Sequence, residues 1–274
     1  MDDGRLPFLT DAVQHPPNER MRAIFLSDLH LGAMGCKARL LLSFLEQHDA
    51  ETIYLVGDII DTWRPLGSNW PDSHHAVLQL LTARARMGAR VIFIPGNHDA
   101  FFRHHIGTEL FGFDIRRDAA HRLPDGRRLL VTHGDSCDIF SERLSMLSKA
   151  GSWLESGIRR LGLGINLIRQ RVGRDGWDGL ETALARFNRM MRARDRFTVR
   201  LTDKARGRGF DGIVCGHFHQ PALHTDHGVL YVNCGDWVEH CTVVMETPQG
   251  ALRLIRWADT PEATTEMRSE LVAG

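Results

Sequence analysis

The sequence predicts an α/β protein, and two observations carry that prediction. Through residues 23–94, short apolar runs alternate with helix-spaced segments, the pattern of parallel strand–helix–strand units. Beyond residue 228, apolar runs follow one another across short polar turns, which predicts antiparallel strands in a second sheet packed on the first. In order, Ala23-Ile24-Phe25-Leu26 reads as a buried strand and residues 38–45 as a helix with apolar residues at helical spacing. Thr52-Ile53-Tyr54-Leu55-Val56 is the next strand. Residues 72–87 form a helix with Val77, Leu78, Leu80 and Leu81 on its apolar side, and residues 90–94 a third strand. Later strands fall at 129–132, 212–215, 229–232, 241–245 and 252–255, the last three in the second sheet.

The chain has 274 residues, enough for one large domain or one domain with an insertion. Residues 1–20 read as a loose leader broken by Pro16-Pro17, and 21–274 as the folded domain. The formal net charge is zero, so bulk electrostatics select no partner; no nucleic acid and no protein partner is expected. Five cysteines without a CxxC pair read as reduced thiols in a reducing, cytoplasmic compartment. The first residues show no apolar signal segment, and no run approaches the roughly 18 apolar residues that span a bilayer.

Five polar blocks follow or end apolar runs: Asp28-Leu29-His30, Gly57-Asp58-Ile59-Ile60-Asp61, Gly96-Asn97-His98-Asp99, His133-Gly134-Asp135 and Gly216-His217-Phe218-His219. The first three fall beyond the carboxyl ends of parallel strands, where open sheets bind ligands. Carboxylate, imidazole and amide oxygen suit hard or borderline divalent metals. In an extended segment residues two apart point the same way, so Asp28 and His30 can share one metal, as can His217 and His219. Asp58, after a glycine, is placed to bridge; Asn97 offers an amide oxygen and His133 ends its strand. Two adjacent metals clamp the attacking and leaving oxygens of a phosphoryl displacement and lower the pKa of bound water. His98 is the candidate general acid, with Asp58 the other catalytic residue, Asp99 expected to orient His98, and Asp61 expected to support a ligand histidine.

The series Asp-x-His, Gly-Asp-x-x-Asp, Gly-Asn-His-Asp, His-Gly-Asp and Gly-His-x-His resembles the calcineurin-like metallophosphoesterase superfamily. The resemblance implies a four-layer fold of two packed mixed sheets flanked by helices. It also implies that Asp28, His30, Asp58 and His219 hold one metal and Asp58, Asn97, His133 and His217 the other. For so mixed a donor set manganese is the expected ion, with iron, zinc or magnesium as alternatives. The stretch Tyr231–Thr242 and the helical insertion predicted at 141–206 resemble a bacterial subgroup related to UDP-2,3-diacylglucosamine diphosphatase of lipid A synthesis. That subgroup splits a nucleotide-linked lipid pyrophosphate into UMP and a lipid monophosphate, with the insertion as a lid for acyl chains. Residues 141–200 carry thirteen basic and six acidic residues, among apolar residues such as Trp153, Leu161 and Ile168. Such a segment suits an anionic amphiphile or peripheral contact with the inner face of the cell membrane, or equally a helical hairpin packed on the core.

One position departs from the pattern, since lipid A hydrolases of that subgroup carry Arg where this chain has His98. A histidine acid serves an alkoxide leaving group more than a phosphate, which leaves a phosphodiesterase or phosphatase on a soluble nucleotide as the alternative. A third reading is a non-enzymatic scaffold that has lost its metals; the full set of seven ligand positions argues against it. Arg103 and His104, just after the third block, are expected at the substrate mouth. The pair His74-His75 reads as surface or supporting, and His121, His224, His227 and His240 as structural. Asp236 and Trp237 are expected to pin the second sheet near the site.

Overall fold

The computed structural model describes residues 20–63, 70–137, 196–226, 228–261 and 263. The predicted leader up to residue 19 and the predicted insertion from 141 to 195, with most of its arginines and its apolar residues, lie outside them. His227 lies outside them too. The chain divides into two compact units, Met1–Gly134 with Leu201–Gly274, and Asp135–Arg200. In the second unit, Asp135–Cys137 form a short 3-10 turn and residues 196–200 are helical.

The first unit is built on two mixed sheets. The larger runs in the order β12-β11-β1-β2-β3-β5-β4. Here β1 is Met21–Leu26, β2 Ala50–Val56, β3 Arg90–Ile94, β4 Glu109–Leu110, β5 Phe113–Ile115, β11 Thr242–Glu246 and β12 Leu252–Arg256. The smaller runs β6-β7-β8-β10-β9, with β6 Ala119–Arg122, β7 Arg128–Val131, β8 Gly212–Cys215, β9 Ala222–Asp226 and β10 Val229–Asn233. β1, β2, β3 and β5 are mutually parallel, joined through α1 (Ala38–Gln47) and α2 (Asp72–Arg86). β7, β8 and β10 are parallel in the other sheet.

Alternation along the strands builds two cores. Ile24 and Leu26, Ile53 and Leu55, and Val91 and Phe93 face the helices, packing with Leu41, Phe44 and Leu45 of α1 and Val77 and Leu81 of α2. Their neighbours Phe25, Tyr54, Val56, Ile92 and Ile94 face the other sheet and meet Leu129, Val131, Val214 and Val232. Period-2 side chains buried on both faces are what a central strand in a layered protein requires. On the far side of the small sheet, Leu130 and Ile213 are buried, as are Leu201 and Ala205 in the helical residues 201–207. Lys204 of that helix at 3.9 Å, and Arg208 just beyond it, reach Asp118 just before β6, which ties the helix to that strand.

The expectation for the last strands needs correcting. β11 and β12 do not join the second sheet: β11 pairs antiparallel with β1, and β12 with β11. All five residues of β11 are buried, so it needs a neighbour on each side and cover on both faces, which the large sheet provides. β10, expected beside them, lies in the small sheet parallel to β8.

Candidate metal centre

Each polar block sits where a parallel strand ends. Backbone bonds tie the loops together: Asp28 N–H to Gly57 O at 3.0 Å, His30 N–H to Asp58 O at 2.9 Å and Gly216 N–H to His133 O at 3.1 Å. The two sheets join at the site itself, where His217 N–H donates to Asp28 Oδ2 at 3.0 Å. Glycines permit this closeness: a Cβ at Gly96 would collide with Asp58 Oδ1 and His133 Nε2, and one at Gly216 with Ser27 Oγ and Asp28 Oδ2.

Two ligand-type clusters result. In the first, His30 Nε2 lies 3.3 Å from His219 Nε2, and Asp28 Oδ1 lies 3.2 Å from His219 Nε2 and 3.8 Å from His30 Nε2. In the second, Asp58, His133 and His217 offer atoms within 4.8 Å of one another. His133 Nε2 stands 3.4 Å from Asp58 Oδ2 and 3.3 Å from Asn97 Oδ1. The second imidazole is oriented from behind: Nδ1 of His133 lies 2.9 Å from Val56 O, an acceptor only, so Nδ1 carries the proton and Nε2 presents its lone pair.

Whether these residues fit a metal is tested by one atom. Asp28 is fully buried; its Oδ2 is taken by Ser27 Oγ and His217 N–H, but its Oδ1 has no hydrogen-bond partner. A buried carboxylate oxygen left bare is costly unless a cation meets it. That oxygen faces two ring nitrogens, and a carboxylate and imidazoles converging on one point are the donors a divalent ion takes in exchange for the proton His219 otherwise holds, so the residues fit such an ion.

The electrostatics agree. Burial alone would raise the Asp58 carboxyl, but His133, His98 and His30 together hold it below the usual range. Asp28 is held low in the same way, burial being outweighed by His219 and His133. Burial lowers His30. Burial also acts to lower His219, yet Asp28, then Asp236 and Asp58, lift it to about 9.

Around the clusters, His98 Nδ1 lies 3.1 Å from Asp61 Oδ1 and its backbone N–H donates to Asp58 Oδ1 at 2.8 Å. His30, Asp61 and His98 form a third group of close ligand atoms, sharing His30 with the first. The expectation that Asp99 orients His98 is corrected. Buried Asp99 accepts the amides of Gly96 at 2.6 Å and Ile59 at 2.7 Å, because an aspartate ending a tight turn satisfies that turn's own N–H groups first. Burial and the nearby Asp58 charge push its carboxyl up to about 7. Arg103 and His104 are exposed on the 3-10 helix Ala100–His105, with Arg103 Nη2 donating to Pro95 O at 3.4 Å.

Asp236, named in the sequence only as a pin, is buried and accepts Val238 N–H at 2.7 Å and His240 Nδ1 at 2.6 Å, with His219 Nδ1 3.7 Å away. Trp237 N–H donates to Asp28 O at 3.1 Å. His74, read as surface or supporting, accepts Gly32 N–H on Nδ1 at 2.9 Å and fixes the loop after His30, while two supporting residues were not singled out, Ser27 on Asp28 and Trp63 against His98. Ser27 precedes Asp28, a weak signal; Trp63 acts on His98 across the fold and leaves none.

Strand-end carboxylates and histidines in this order and this fold define a phosphoesterase, and the chain belongs to the calcineurin-like phosphoesterase family, whose pattern matches residues 21–221. It is a hydrolase, and the family implies divalent metal ions. Its curated relatives include the UDP-2,3-diacylglucosamine hydrolase of Aeromonas salmonicida, 26% identical over 243 residues, spanning 83% of this chain and 91% of the relative. The enzyme of the same name from Stenotrophomonas maltophilia is 28% identical over 258 residues, spanning 84% and 96%. Among solved structures, the E. coli phosphoesterase Yfce matches with a TM-score of 0.43 and 14% identity over 85% of this chain and 98% of that one.

Proposed function

We propose that this chain is a two-metal hydrolase that cleaves the pyrophosphate of UDP-2,3-diacylglucosamine or a similar nucleotide-linked lipid, releasing UMP and a lipid monophosphate. Asp28, His30, Asp58 and His219 hold one ion, and Asp58, Asn97, His133 and His217 the other. The observation that carries the reading is the bare, buried Oδ1 of Asp28 facing two ring nitrogens. Bridging by Asp58 is supported by its charge, which reaches His30 of the first cluster as well as His133 of the second. Manganese suits the mixed oxygen and nitrogen set, with iron, zinc and magnesium as the other candidates. When bound, the ions supply Lewis acidity at phosphorus and acidify a water for attack. His98, held by Asp61, gives a proton to the oxygen that leaves as the P–O bond breaks.

The substrate class is supported by the name shared by relatives that cover most of the chain, and by the Arg-rich, apolar composition of 141–200. The same composition supports peripheral contact with the cytoplasmic membrane face. No helix among the described residues is long and apolar enough to cross a membrane. A second reading, a phosphodiesterase or phosphatase on a soluble nucleotide, draws support from His98, because a proton donor matters most when the leaving group is basic.

The test is Asp58→Ala. The variant is expected to lose both bound metal, measured by elemental analysis, and turnover of UDP-2,3-diacylglucosamine. Turnover retained without metal would sink the two-metal reading. Full activity on soluble diesters with none on the lipid substrate, in the unmodified protein, would select the second reading.

A further inference from the structure

Trp63 touches the His98 ring and two of the groups around it, Asn97 and Asp61. Its indole stacks on the His98 ring with centroids 3.7 Å apart and planes 20° from parallel. Its Nε1–H donates to Asn97 O at 3.1 Å, on the residue before His98. Its backbone N–H donates to Asp61 Oδ1 at 3.2 Å, the same oxygen that lies 3.1 Å from His98 Nδ1. The His98 ring in turn meets the His30 ring edge to face, with centroids 4.6 Å apart at 87°.

These contacts divide the labour. One hydrogen bond to Asp61 fixes a point on the imidazole but leaves the ring free to swing about it. A ring face against a second ring face opposes that swing, because turning the imidazole would break the stacked contact, and this favours one orientation. The bond to Asn97 O holds the indole itself in register with the turn that carries His98.

We infer that Trp63 is a positioning residue for proton donation, holding the His98 imidazole so that Nε2, the nitrogen not engaged by Asp61, points at the leaving oxygen. The inference rests on the reading of His98 as the donor. In the step it serves, water adds to phosphorus and the P–O bond to the leaving group breaks with its electron pair on the departing oxygen. That oxygen takes the Nε2 proton, and the proton released by water passes to solvent.

A purely structural role for Trp63 predicts equal loss on all substrates. A positioning role predicts a loss that grows with the basicity of the leaving group, because only a poor leaving group needs the proton. The experiment therefore compares uridine aryl phosphodiesters that leave as p-nitrophenol or as phenol, with the full-length metal-loaded protein and its W63L, W63F and H98A variants. The H98A variant is expected to lose roughly tenfold or more turnover on the phenyl ester relative to the p-nitrophenyl ester, within the range that acid catalysis contributes. The W63L variant is expected to reproduce that selectivity with bound metal unchanged, and W63F, which keeps a stacking face, to recover most of it. If H98A shows the selectivity and W63L does not, the role of Trp63 is overturned and that of His98 stands. If H98A shows none, the donor reading falls and the inference with it. Loss of metal from W63L overturns the inference in favour of an effect through Asn97.

Discussion

Asp28, His30, Asp58, His217 and His219 all have φ between 50° and 71°, and they make up five of the seven non-glycine residues in that region among those described. A left-handed backbone costs an L-residue about 1–2 kcal/mol, so so many together mark a place where function overrides local preference. The identities of these residues were legible because chemistry dictates them. Their backbone was not: the expectation of extended segments with residues two apart on one side is replaced by αL turns that aim Asp28 and His30, and His217 and His219, inward. Asp and His enter this region more often than most residues but far less freely than glycine, so their types alone do not announce it. At this same scale, the metal-free protein has a pH signature. His219 is lifted from 6.5 to about 9, chiefly by Asp28 against the opposing effect of burial, so its pairing stabilises the fold fully below pH 6.5 and is lost as pH rises through 9. Chelated protein is therefore expected to melt at steadily lower temperature from pH 6.5 to 9, and His219→Asn to flatten that decline. An unchanged slope in the variant would show that another group carries it. Metal binding has the opposite dependence, tightening as pH rises, because only neutral imidazole is a ligand.

The elements were legible wherever a strand is long and apolar on both faces. β1, β2, β3 and β8 each end in the polar block expected of them. The short strands β4, β5, β6 and β9 were not seen, since two to five residues with exposed or polar positions give no clear period. The misplacement of β11 and β12 has another cause. Adjacency in sequence suggests a meander, but the chain returns to the first sheet to cover the free edge of β1, a choice that depends on the whole fold. The turns that end the strands carry the strictest demand, at Gly96. A methyl group there meets the carboxylate of Asp58, the backbone nitrogen of the same residue and Nε2 of His133. None of these is the free end of a flexible chain, so one must move. Gly96→Ala is expected to reduce turnover by about a hundredfold, the scale of an ångström's displacement in a catalytic site. Metal affinity should weaken alongside, while far-UV circular dichroism stays unchanged. A variant with normal metal binding and turnover would show that the strand ends can yield without harm.

In the first unit as a whole, a metal at the proposed site would also act as a fastener. Asp28 and Asp58 follow strands of the large sheet and His133 and His217 strands of the small one, so an ion held among them would tie the sheets at one end, as Phe25, Tyr54 and Val131 tie them in the middle. Without a cation, the buried Asp28 and Asp58 carboxylates rely on nearby histidines alone for compensation. A ligand that binds only the folded chain stabilises it by mass action, about 4 kcal/mol when free metal stands at a thousand times its dissociation constant. For a domain of this size that is a rise in melting temperature on the order of 10 °C. Titrating manganese into chelated protein is therefore expected to raise the melting temperature with metal concentration, and the same titration of Asp58→Ala to raise it little. The comparison separates a metal that ties the sheets from one that merely visits the surface: a rise equal in both proteins would place the bound ions away from Asp58, and with them the fastening of the two sheets.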